Sequence, residues 1–418
     1  MTMKTTNSFL WTASTICFVL AMSFTSCSSS KQTDKTNYDA NVAFVNSQLT
    51  YQINTISKDT THFLNPVTVM PNGETYYCEP TDWCSGFFVG TLWLASEMSG
   101  DSLLQAKAVD YTKEIEEVKN ITWHHDVGFI INSSFGNAYD VTHDSYYKNV
   151  IIQAAKSLST RFRPKAGIIQ SWDVNGGWQS ERGWECPVII DNMMNLELMF
   201  KATEYSGDSI YYNIANKHAE TTLKNHFRSD ASCYHVVDYS LEDGHVRGKH
   251  TAQGYADNSV WSRGQVWAIY GYTLCYRYTK NPKYLEQALK TADFMMHHPA
   301  MPKDHIPYWD MDAPKIPNEF RDVSSAACMA SALYELGAYS ADRCDELRKY
   351  ADSMMASLAT PEYRAEVGGN NGFLLKHSVG SIPHNSQIDV PLNYADYYYV
   401  EALKRQHLTI AELLKTLH

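Results

Sequence analysis

A polar turn followed by a helix recurs along the chain, and this pattern restricts the fold more than any other feature. Each copy has a short turn containing Asp or Asn, and then Ala, Leu and other apolar residues at i, i+3 or i+4 spacing, which is typical of an amphipathic helix. The Asp or Asn of the turn can cap the helix that follows. The five copies begin at Ser99, Val141, Ser206, Thr279 and Ser340.

Another helix-like segment precedes each turn, so that the helices come in pairs. These preceding segments cover roughly 85–98, 127–139, 187–205, 258–278 and 322–339. Two more helices, at 40–57 and 391–416, bring the prediction to twelve helices in six pairs. We therefore predict an all-α fold, an (α/α)6 toroid whose inner helices surround a cavity. An open helical solenoid is the alternative, although the turns are too unevenly spaced for a fixed-period repeat.

The long loops all precede the first helix of a pair, and they are rich in Trp, His, Gly, Asp and Asn. Loops at one end of a rigid scaffold are where function is usually carried. We therefore expect the functional site at the end of the toroid where these loops meet. They cover 58–84, 161–186, 228–257, 299–321 and 359–390.

The N-terminus has the features of a bacterial lipoprotein signal. Lys4 precedes an apolar run from Phe9 to Phe24, which is shorter than a bilayer span. Small residues then lead to Cys27, and serines follow it. We predict a signal peptide over 1–26, a lipid anchor on Cys27, a polar tether over 27–38 and one domain over 39–418. The protein would then be anchored in the periplasm or at the outer membrane of a Gram-negative bacterium. Ordinary secretion with cleavage nearby is the alternative.

Charge and cysteine spacing exclude two classes of function. The formal net charge is −11, and without a Lys/Arg cluster this is a poor basis for binding nucleic acid. Of nine cysteines, two fall in the leader segment and at its end, and the remaining seven are an odd number, so at least one thiol is free. No pair of Cys or Cys and His has the spacing of a zinc site. We expect no metal and no cofactor.

Two aspartates stand at the starts of predicted inner helices. Asp126 follows His124 and His125, and Asp191 lies between Val188-Ile189-Ile190 and Asn192-Met193-Met194. An apolar setting raises the pKa of a carboxyl group, and a second carboxylate nearby raises it further, which suits a general acid near neutral pH. The alternative for either residue alone is a helix N-cap.

Arg263 lies between Trp261 and Trp267 in the segment VWSRGQVW. Arg binds carboxylates through two parallel hydrogen bonds and stacks on aromatic rings. A buried ion pair with Asp257 or Asp322 is the alternative role for this residue.

Six segments together resemble glycoside hydrolase family 88, the unsaturated glucuronyl hydrolases. The match spreads over about residues 75–405. It consists of DWCSGFFVGTLW, HHDVGF, VIIDNMMNLELMF, QGYADNSVWSRGQVWAIYG, FRDVSSAACMASAL and DVPLNYADYYYVEAL, in that order.

The resemblance implies an (α/α)6 barrel and a particular reaction. Its substrates are the products of polysaccharide lyases, which carry a 4,5-unsaturated uronic acid at the nonreducing end. The sugar is removed by adding water across the C4=C5 double bond, so the separation of two carboxylates that distinguishes retaining from inverting glycosidases does not apply. The partners implied are unsaturated di- or oligosaccharides of glycosaminoglycans, together with the membrane through the lipid anchor.

The resemblance also assigns roles to residues. Asp191 would give a proton to C4 and activate the water, and Asp126 would hold the substrate hydroxyls and tune Asp191. Gln253 and Arg263 would position the uronate end, and the Trp residues would stack on the sugar rings. The positions that match sugar contacts are Trp83, His125, Trp172, His235, Gln253, Trp261, Arg263 and Trp267. The loop 173–185 is long for the family, which leaves Trp178 and Trp184 without an assigned role.

Lys376, in the segment EVGGNNGFLLKHSVGSIPH, is a candidate for contact with a sulfate or carboxylate on the substrate, with an ordinary solvated lysine as the alternative. Two other functions stay open at this point. One is an unsaturated rhamnogalacturonyl hydrolase of the family 105 type acting on pectin fragments, and the other is a non-catalytic lipoprotein that binds glycans.

Overall fold

The computed structural model describes residues 31–56 and 65–417. The predicted signal peptide and the anchor residue Cys27 lie outside these residues. None of the helices in the described part is both long enough and apolar enough to span a bilayer. The first helix begins at Lys31, so the boundary predicted between 38 and 39 falls inside a helix.

Six helical segments form a closed inner ring. They are α2 (Ser85–Ser99), the segment α4 and α5 (Val127–Ile131 and Asn137–Thr142, joined by a π-helical turn over Asn132–Gly136), α7 (Asn192–Ser206), α9 (Ser262–Thr279), α11 (Val323–Tyr339) and α13 (Asn393–His407). Each packs against the next, and α13 packs against α2. The ring therefore closes, and the open solenoid that the sequence left as an alternative is excluded.

The outer helices pack around this ring. They are α1 (Lys31–Ile56), α3 (Ser102–Glu114), α6 (Ser145–Ser159), α8 (Ser209–Asn225), α10 (Pro282–Met296) and α12 (Cys344–Leu358), and a short α14 (Ile410–Thr416) follows the last inner helix. The core is the apolar layer between and within the two rings. The six predicted pairs are confirmed. The predicted helix 391–416 is two helices, because Leu408 has an extended backbone conformation that ends α13.

The turns cap the outer helices largely as predicted. The side chains of Asp101, Asp144, Asp208 and Asn281 each accept a hydrogen bond from the backbone of the helix that follows. The fifth turn differs, since the N-cap of α12 is Arg343 and no side chain caps that helix. Local hydrogen bonds of this kind satisfy N–H groups that a helix start leaves without partners.

Small antiparallel sheets fold within the long loops, and the helix pattern did not predict them. The strands are β1 (Asn65–Val69) with β2 (Thr75–Cys78), β3 (Phe162–Arg163) with β4 (Ile168–Ile169), β5 (Pro187–Ile189) with β6 (Val236–Tyr239) and β7 (Val246–His250), and β8 (Ser378–Ser381) with β9 (Ser386–Val390). The helix predicted to begin at 187 therefore begins at Asn192, because residues 187–189 pair with β6.

A buried ion network ties four inner helices together, through residues in the C-terminal halves of α9, α11 and α13 and through Glu197 in the first half of α7. Arg277 of α9 donates to both carboxylate oxygens of Glu335 on α11, at 2.8 and 2.7 Å, and to Glu197 on α7 at 2.7 Å. Arg405 of α13 lies 3.2 Å from Glu335. The opposite end of the ring, where the inner helices start, is the end that carries the loops and the two predicted aspartates.

Candidate active site

Asp126 and Asp191 both occupy the N-cap position of an inner helix, yet neither side chain caps its helix. The capping role that the sequence left open for each is therefore excluded. Both carboxylates remain available for other contacts, and their side chains are 14% and 13% exposed, respectively.

A close contact between α4 and α7 brings the two helix starts together. The backbone N–H of Phe129 donates to Asn195 Oδ1 at 2.8 Å, and Asn195 Nδ2 lies 3.2 Å from His125 Nδ1. Gly128 is required here, because a Cβ at this position would lie 2.5 Å from the Cα and side chain of Asn195. The start of α4 can thus approach α7 only without a side chain at residue 128.

The sheet β5–β6–β7 brings His235 to Asp191. Residue 235 immediately precedes β6, and its carbonyl accepts a hydrogen bond from the N–H of Ile190 at 2.9 Å. His235 Nε2 then lies 3.7 Å from Asp191 Oδ2. Within the described part of the chain neither of these two atoms has a hydrogen-bond partner. They form a polar pair that is buried but open to a third group.

The tautomer of His235 follows from its other nitrogen. Nδ1 accepts hydrogen bonds from the backbone N–H groups of Ala252 and Gln253, at 3.0 and 3.2 Å. An acceptor nitrogen carries no proton, so the proton of the neutral ring is on Nε2, facing Asp191. Burial lowers the pKa of His235 well below its usual value, with Arg263 adding to the effect. The ring is therefore neutral at pH 7.

Burial raises the pKa of Asp191 from 3.8 to about 7. Arg263 acts in the opposite direction, and Asp126 raises the pKa further. The indole N–H of Trp267 also acts to lower the pKa of Asp191, although its geometry falls short of a hydrogen bond. Asp191 is consequently protonated in a large fraction of molecules at neutral pH, as a general acid must be.

Asp126 has the opposite ionisation state. Burial alone would raise its pKa, but His125, His124 and Arg161 together outweigh burial and hold the pKa below its usual value. His125 Nε2 lies 3.3 Å from Asp126 Oδ1. Burial lowers the pKa of His125 as well, so the ring is mostly neutral at pH 7, and its Nε2 has no hydrogen-bond partner among the described residues. At neutral pH the site thus holds one ionised carboxyl group, Asp126, and one that is protonated in about half of the molecules, Asp191.

Arg263 is buried and already bound to protein groups. Its Nη1 lies 3.1 Å from Asp322 Oδ2, and Nη2 donates to the carbonyl of Gly380 at 2.7 Å. The ion pair with Asp322 that the sequence left as an alternative is therefore present. Arg263 ties the β8–β9 hairpin to the start of α11 and acts on Asp191 through its charge.

The four predicted stacking tryptophans divide into two groups. Trp261 and Trp267 are 3% and 1% exposed, so their faces are covered by protein and the prediction that they stack on sugar rings is corrected. Trp261 packs against His235, with ring centroids 4.4 Å apart, and Trp267 against Phe129 at 5.3 Å. Trp83 and Trp172 are only partly buried and keep surface for a ligand.

An aromatic shelf, defined here as Trp172, Trp178, Trp184 and Arg182, extends from the site into the loop 173–185. The centroid of Trp172 lies 6.4 Å from that of His235, 5.0 Å from Trp178 and 6.0 Å from Trp184. The Arg182 guanidinium lies over Trp178 and Trp184, at 5.7 and 5.5 Å. The sequence did not assign Trp178, Trp184 or Arg182, since only the fold of the loop brings them next to Trp172.

Lys376 Nζ donates one hydrogen bond, to the carbonyl of Pro361 at 2.6 Å. Because an ammonium group has three N–H donors, the contact with a sulfate or carboxylate stays a prediction. Arg182, which is exposed, is the cation next to the aromatic residues.

The structure is a toroid of helix pairs, and its mouth carries two carboxyl groups of different ionisation together with partly exposed tryptophans. These features define a glycoside hydrolase of the α/α type. No family model matches the chain. The chain is 48% identical to an unsaturated glucuronyl hydrolase of Formosa agariphila over 78% of this chain and 80% of the relative. It is 33% identical to the unsaturated glucuronyl hydrolase of Bacillus sp. strain GL1, over 78% and 86%. The chain therefore belongs to the unsaturated glucuronyl hydrolases, glycoside hydrolase family 88.

Solved structures of this family have the same fold. The crystal structure of an unsaturated glucuronyl hydrolase specific for heparin is 43% identical, with a TM-score of 0.82 over 87% of this chain and 96% of that one. A variant of the Streptococcus agalactiae enzyme, complexed with dGlcA-GalNAc6S, is 27% identical with a TM-score of 0.72, over 90% and 92%.

Proposed function

We propose that this protein removes the 4,5-unsaturated uronic acid from the nonreducing end of glycosaminoglycan oligosaccharides by hydrating the C4=C5 bond. The observation that carries the proposal is Asp191, whose pKa of about 7 arises from burial beside an ionised Asp126. A group of this kind can donate a proton and take one back at neutral pH.

In the first step the carboxyl group of Asp191 donates its proton to C4. The electrons of the double bond form the new C–H bond, and positive charge develops at C5 and the ring oxygen. Asp191 becomes a carboxylate at this moment. The Nε2–H of His235, 3.7 Å from Asp191 Oδ2, and the indole N–H of Trp267 are the donors placed to stabilise that new charge.

In the second step the Asp191 carboxylate takes a proton from a water molecule while the water oxygen bonds to C5. This restores the acid and leaves a hemiketal at C5. The hemiketal opens, the bond to the ring oxygen breaks, and the leaving sugar is released from the anomeric carbon. The net reaction consumes one water and leaves Asp191 protonated, so that a single residue serves as acid and then as base.

The remaining side chains hold the substrate. Asp126, kept ionised, accepts hydrogen bonds from sugar hydroxyls. Gln253, whose backbone is bonded to His235, and Arg263 attract the uronate end, Arg263 chiefly through its charge because its Nη groups already bind protein. The exposed parts of Trp83 and Trp172 provide apolar surface for sugar rings.

We further propose that the aromatic shelf receives the leaving sugar. It begins at Trp172, next to His235, and it ends at the exposed guanidinium of Arg182. Arg is the residue that best binds sulfate-like anions through paired N–H groups. Replacing Arg182 with Ala should therefore reduce turnover of sulfated disaccharides more than that of unsulfated ones. An equal reduction for both would remove Arg182 from substituent recognition.

The decisive test follows the ultraviolet absorbance of the double bond. Unsaturated disaccharides of heparin, chondroitin and hyaluronan should each be compared with unsaturated rhamnogalacturonan products. Loss of absorbance with the glycosaminoglycan series alone supports the proposal. Loss with the pectin series alone would favour the family 105 activity, and binding without loss would favour a glycan-binding protein.

Variants show whether the activity depends on the proposed acid. Asp191→Asn should abolish turnover while keeping substrate binding. Asp243→Asn changes a carboxylate that is 63% exposed and serves as the matched control, with activity expected to be unchanged. Substantial turnover by Asp191→Asn would remove that residue from the proton-donor role.

We also propose that the protein is a lipoprotein held at the membrane through Cys27, in the periplasm or at the outer membrane. The support is the short apolar run followed by small residues, Cys27 and serines. Expression of the full chain with labelled fatty acid should give a labelled protein in the membrane fraction. Cys27→Ser should lose the label, and a label that persists in this variant would refute the anchor.

A further inference from the structure

Two cysteines and an aspartate meet where strand β2 leads into helix α2. Cys78 is the last residue of β2 and Cys84 is the residue before α2, and both thiols are buried. The two Sγ atoms lie within 4.8 Å of each other, and a carboxylate oxygen of Asp82 lies within the same distance of both. Cys84 Sγ donates to Asp82 Oδ1 at 3.0 Å. The fold thus pairs two thiols that the sequence spacing left unassigned.

The other cysteines of the described residues do not share this segment. All seven are reduced and buried, and the remaining five are Cys186, Cys233, Cys275, Cys328 and Cys344. They belong to the loops before β5 and β6 and to helices α9, α11 and α12. The seven cysteines of the described residues therefore consist of the pair Cys78 and Cys84 and five other buried thiols.

The pair is placed to fix a residue of the candidate active site. Trp83 lies between Asp82 and Cys84, and its ring centroid is 4.9 Å from Tyr394 and 5.8 Å from both Phe87 and Phe129. The N–H of Cys84 donates to Asp82 Oδ1 at 3.1 Å. The N–H of Asp82 also donates to the carbonyl of Glu79 at 3.0 Å, and the Ser85 hydroxyl donates to the carbonyl of Pro80 at 2.7 Å. A covalent link between Cys78 and Cys84 would close this short loop and limit the movement of Trp83.

We propose that Cys78 and Cys84 form a disulfide bond that ties strand β2 to the start of helix α2. The oxidant is a disulfide of the thiol-exchange class, such as oxidised glutathione or a protein disulfide. One thiolate attacks this disulfide and releases one thiol, and the second cysteine then displaces the other. The two cysteines lose two protons and two electrons, and the oxidant leaves as two thiols.

The buried setting fixes when this bond forms. Burial raises the pKa of the Cys84 thiol well above its usual value, and Cys78 and Asp82 add to the effect. Because only the thiolate attacks a disulfide, the pair reacts slowly once folding has buried it. Oxidation therefore takes place while the chain is folding, before α2 packs into the ring. Once formed, the buried disulfide is protected from thiol exchange.

The test refolds the full-length protein from denaturant, in parallel with and without a mixture of reduced and oxidised glutathione. Remaining thiols are then alkylated under denaturing conditions and the chain is cut with a protease that cleaves before aspartate, which separates Cys78 from Cys84 at Asp82. Refolding with glutathione should give two fragments joined by a bond that a reductant breaks. Five of the seven cysteines of the described residues should take up the reagent.

Variants and metal analysis make the result decisive. Cys344→Ser should leave the linked fragments intact, whereas Cys78→Ser should abolish them and leave Cys84 alkylated. Complete alkylation of both residues after oxidative refolding would overturn the proposal, as would a bond from either to another cysteine. Retention of stoichiometric zinc by the two reduced thiols would overturn it as well, because the trio would then be a metal site.

The effect on Trp83 rests on the proposed function and is measured separately. Reduction of the bond should raise KM for an unsaturated disaccharide at unchanged kcat, because Trp83 binds the sugar and takes no part in proton transfer. An unchanged KM would overturn the positioning role. Absence of any turnover would contradict the proposed function, while the mass measurement would still decide whether the disulfide forms.

Discussion

The pKa of Asp191 makes a prediction about stability that does not depend on knowing the substrate. In the folded protein this pKa is raised from 3.8 to about 7 by burial. The native state therefore binds a proton that the unfolded chain releases between those two values. Stability falls with rising pH across that interval, because the unfolded state then binds fewer protons than the native state.

The size of the effect follows from the two pKa values. Each pKa unit corresponds to about 1.4 kcal/mol, so ionising Asp191 in the folded protein lowers its stability by about 4 kcal/mol above pH 7. Asp191→Asn keeps the shape and removes the charge. Relative to the parent, the variant should therefore be more stable by about 1 kcal/mol at pH 4.5 and by about 4 kcal/mol at pH 8.5.

Urea unfolding followed by circular dichroism, at intervals from pH 4.5 to 8.5, measures this difference. Asp304→Asn is the matched control, because Asp304 has a lowered pKa in the folded state and its partners are Arg321 and Tyr363 rather than Asp191. Its carboxylate stabilises the protein above the unfolded pKa of 3.8, and that contribution is lost only as the pH falls through the folded pKa. The deficit of Asp304→Asn should therefore be constant over the whole range tested.

A difference between Asp191→Asn and the parent that does not change with pH would refute the reasoning. It would mean that Asp191 is ionised in the folded protein throughout, and the proposed proton donor would then lack its proton at neutral pH. A difference of the same size and pH dependence in Asp304→Asn would show that the change with pH does not arise from Asp191.

Three further predictions concern the reaction and the scaffold. The value of kcat/KM for an unsaturated disaccharide should fall as pH rises through about 7, because Asp191 must carry its proton; a profile that is flat to pH 9 would contradict this. Gly128→Ala should reduce turnover and stability together, because its Cβ would lie 2.5 Å from Asn195 and push α4 from α7, whereas Gly100→Ala, with nothing within 4 Å of its Cβ, should leave turnover unchanged. Arg277→Ala should destabilise the fold by about 3–5 kcal/mol in urea unfolding, since it leaves Glu335 buried without its main partner; a loss below about 1 kcal/mol would show that the network contributes little.

Much of the scaffold could be read from local patterns. The turns with Asp101 and Asp208 cap the helices that follow through hydrogen bonds spanning only two or three residues. Such contacts depend on neighbours in the chain, which a sequence displays directly. The strands were not predicted, because each is five residues or fewer. In addition, β5 pairs with β6 across two intervening helices.

The ends of elements depended on such distant partners too. Residues 187–189 continue an apolar pattern that suits a helix, but pairing with Val236 to Asp238 makes them a strand. That pairing delays the start of α7 to Asn192 and sets Asp191 opposite His235. The sequence motif therefore identified Asp191, and the pairing of β5 with β6 determined which residues surround it.

The sequence by itself determined the helix pairs, their order and the family motifs that mark Asp126 and Asp191. Tertiary structure alone decided their ionisation, the burial of Trp261 and Trp267, the engagement of Arg263 by Asp322, and the meeting of Cys78 with Cys84. The physical reason is range. Helix periodicity and capping act over a few residues of chain, whereas desolvation, charge and packing depend on groups that only the closed ring brings together.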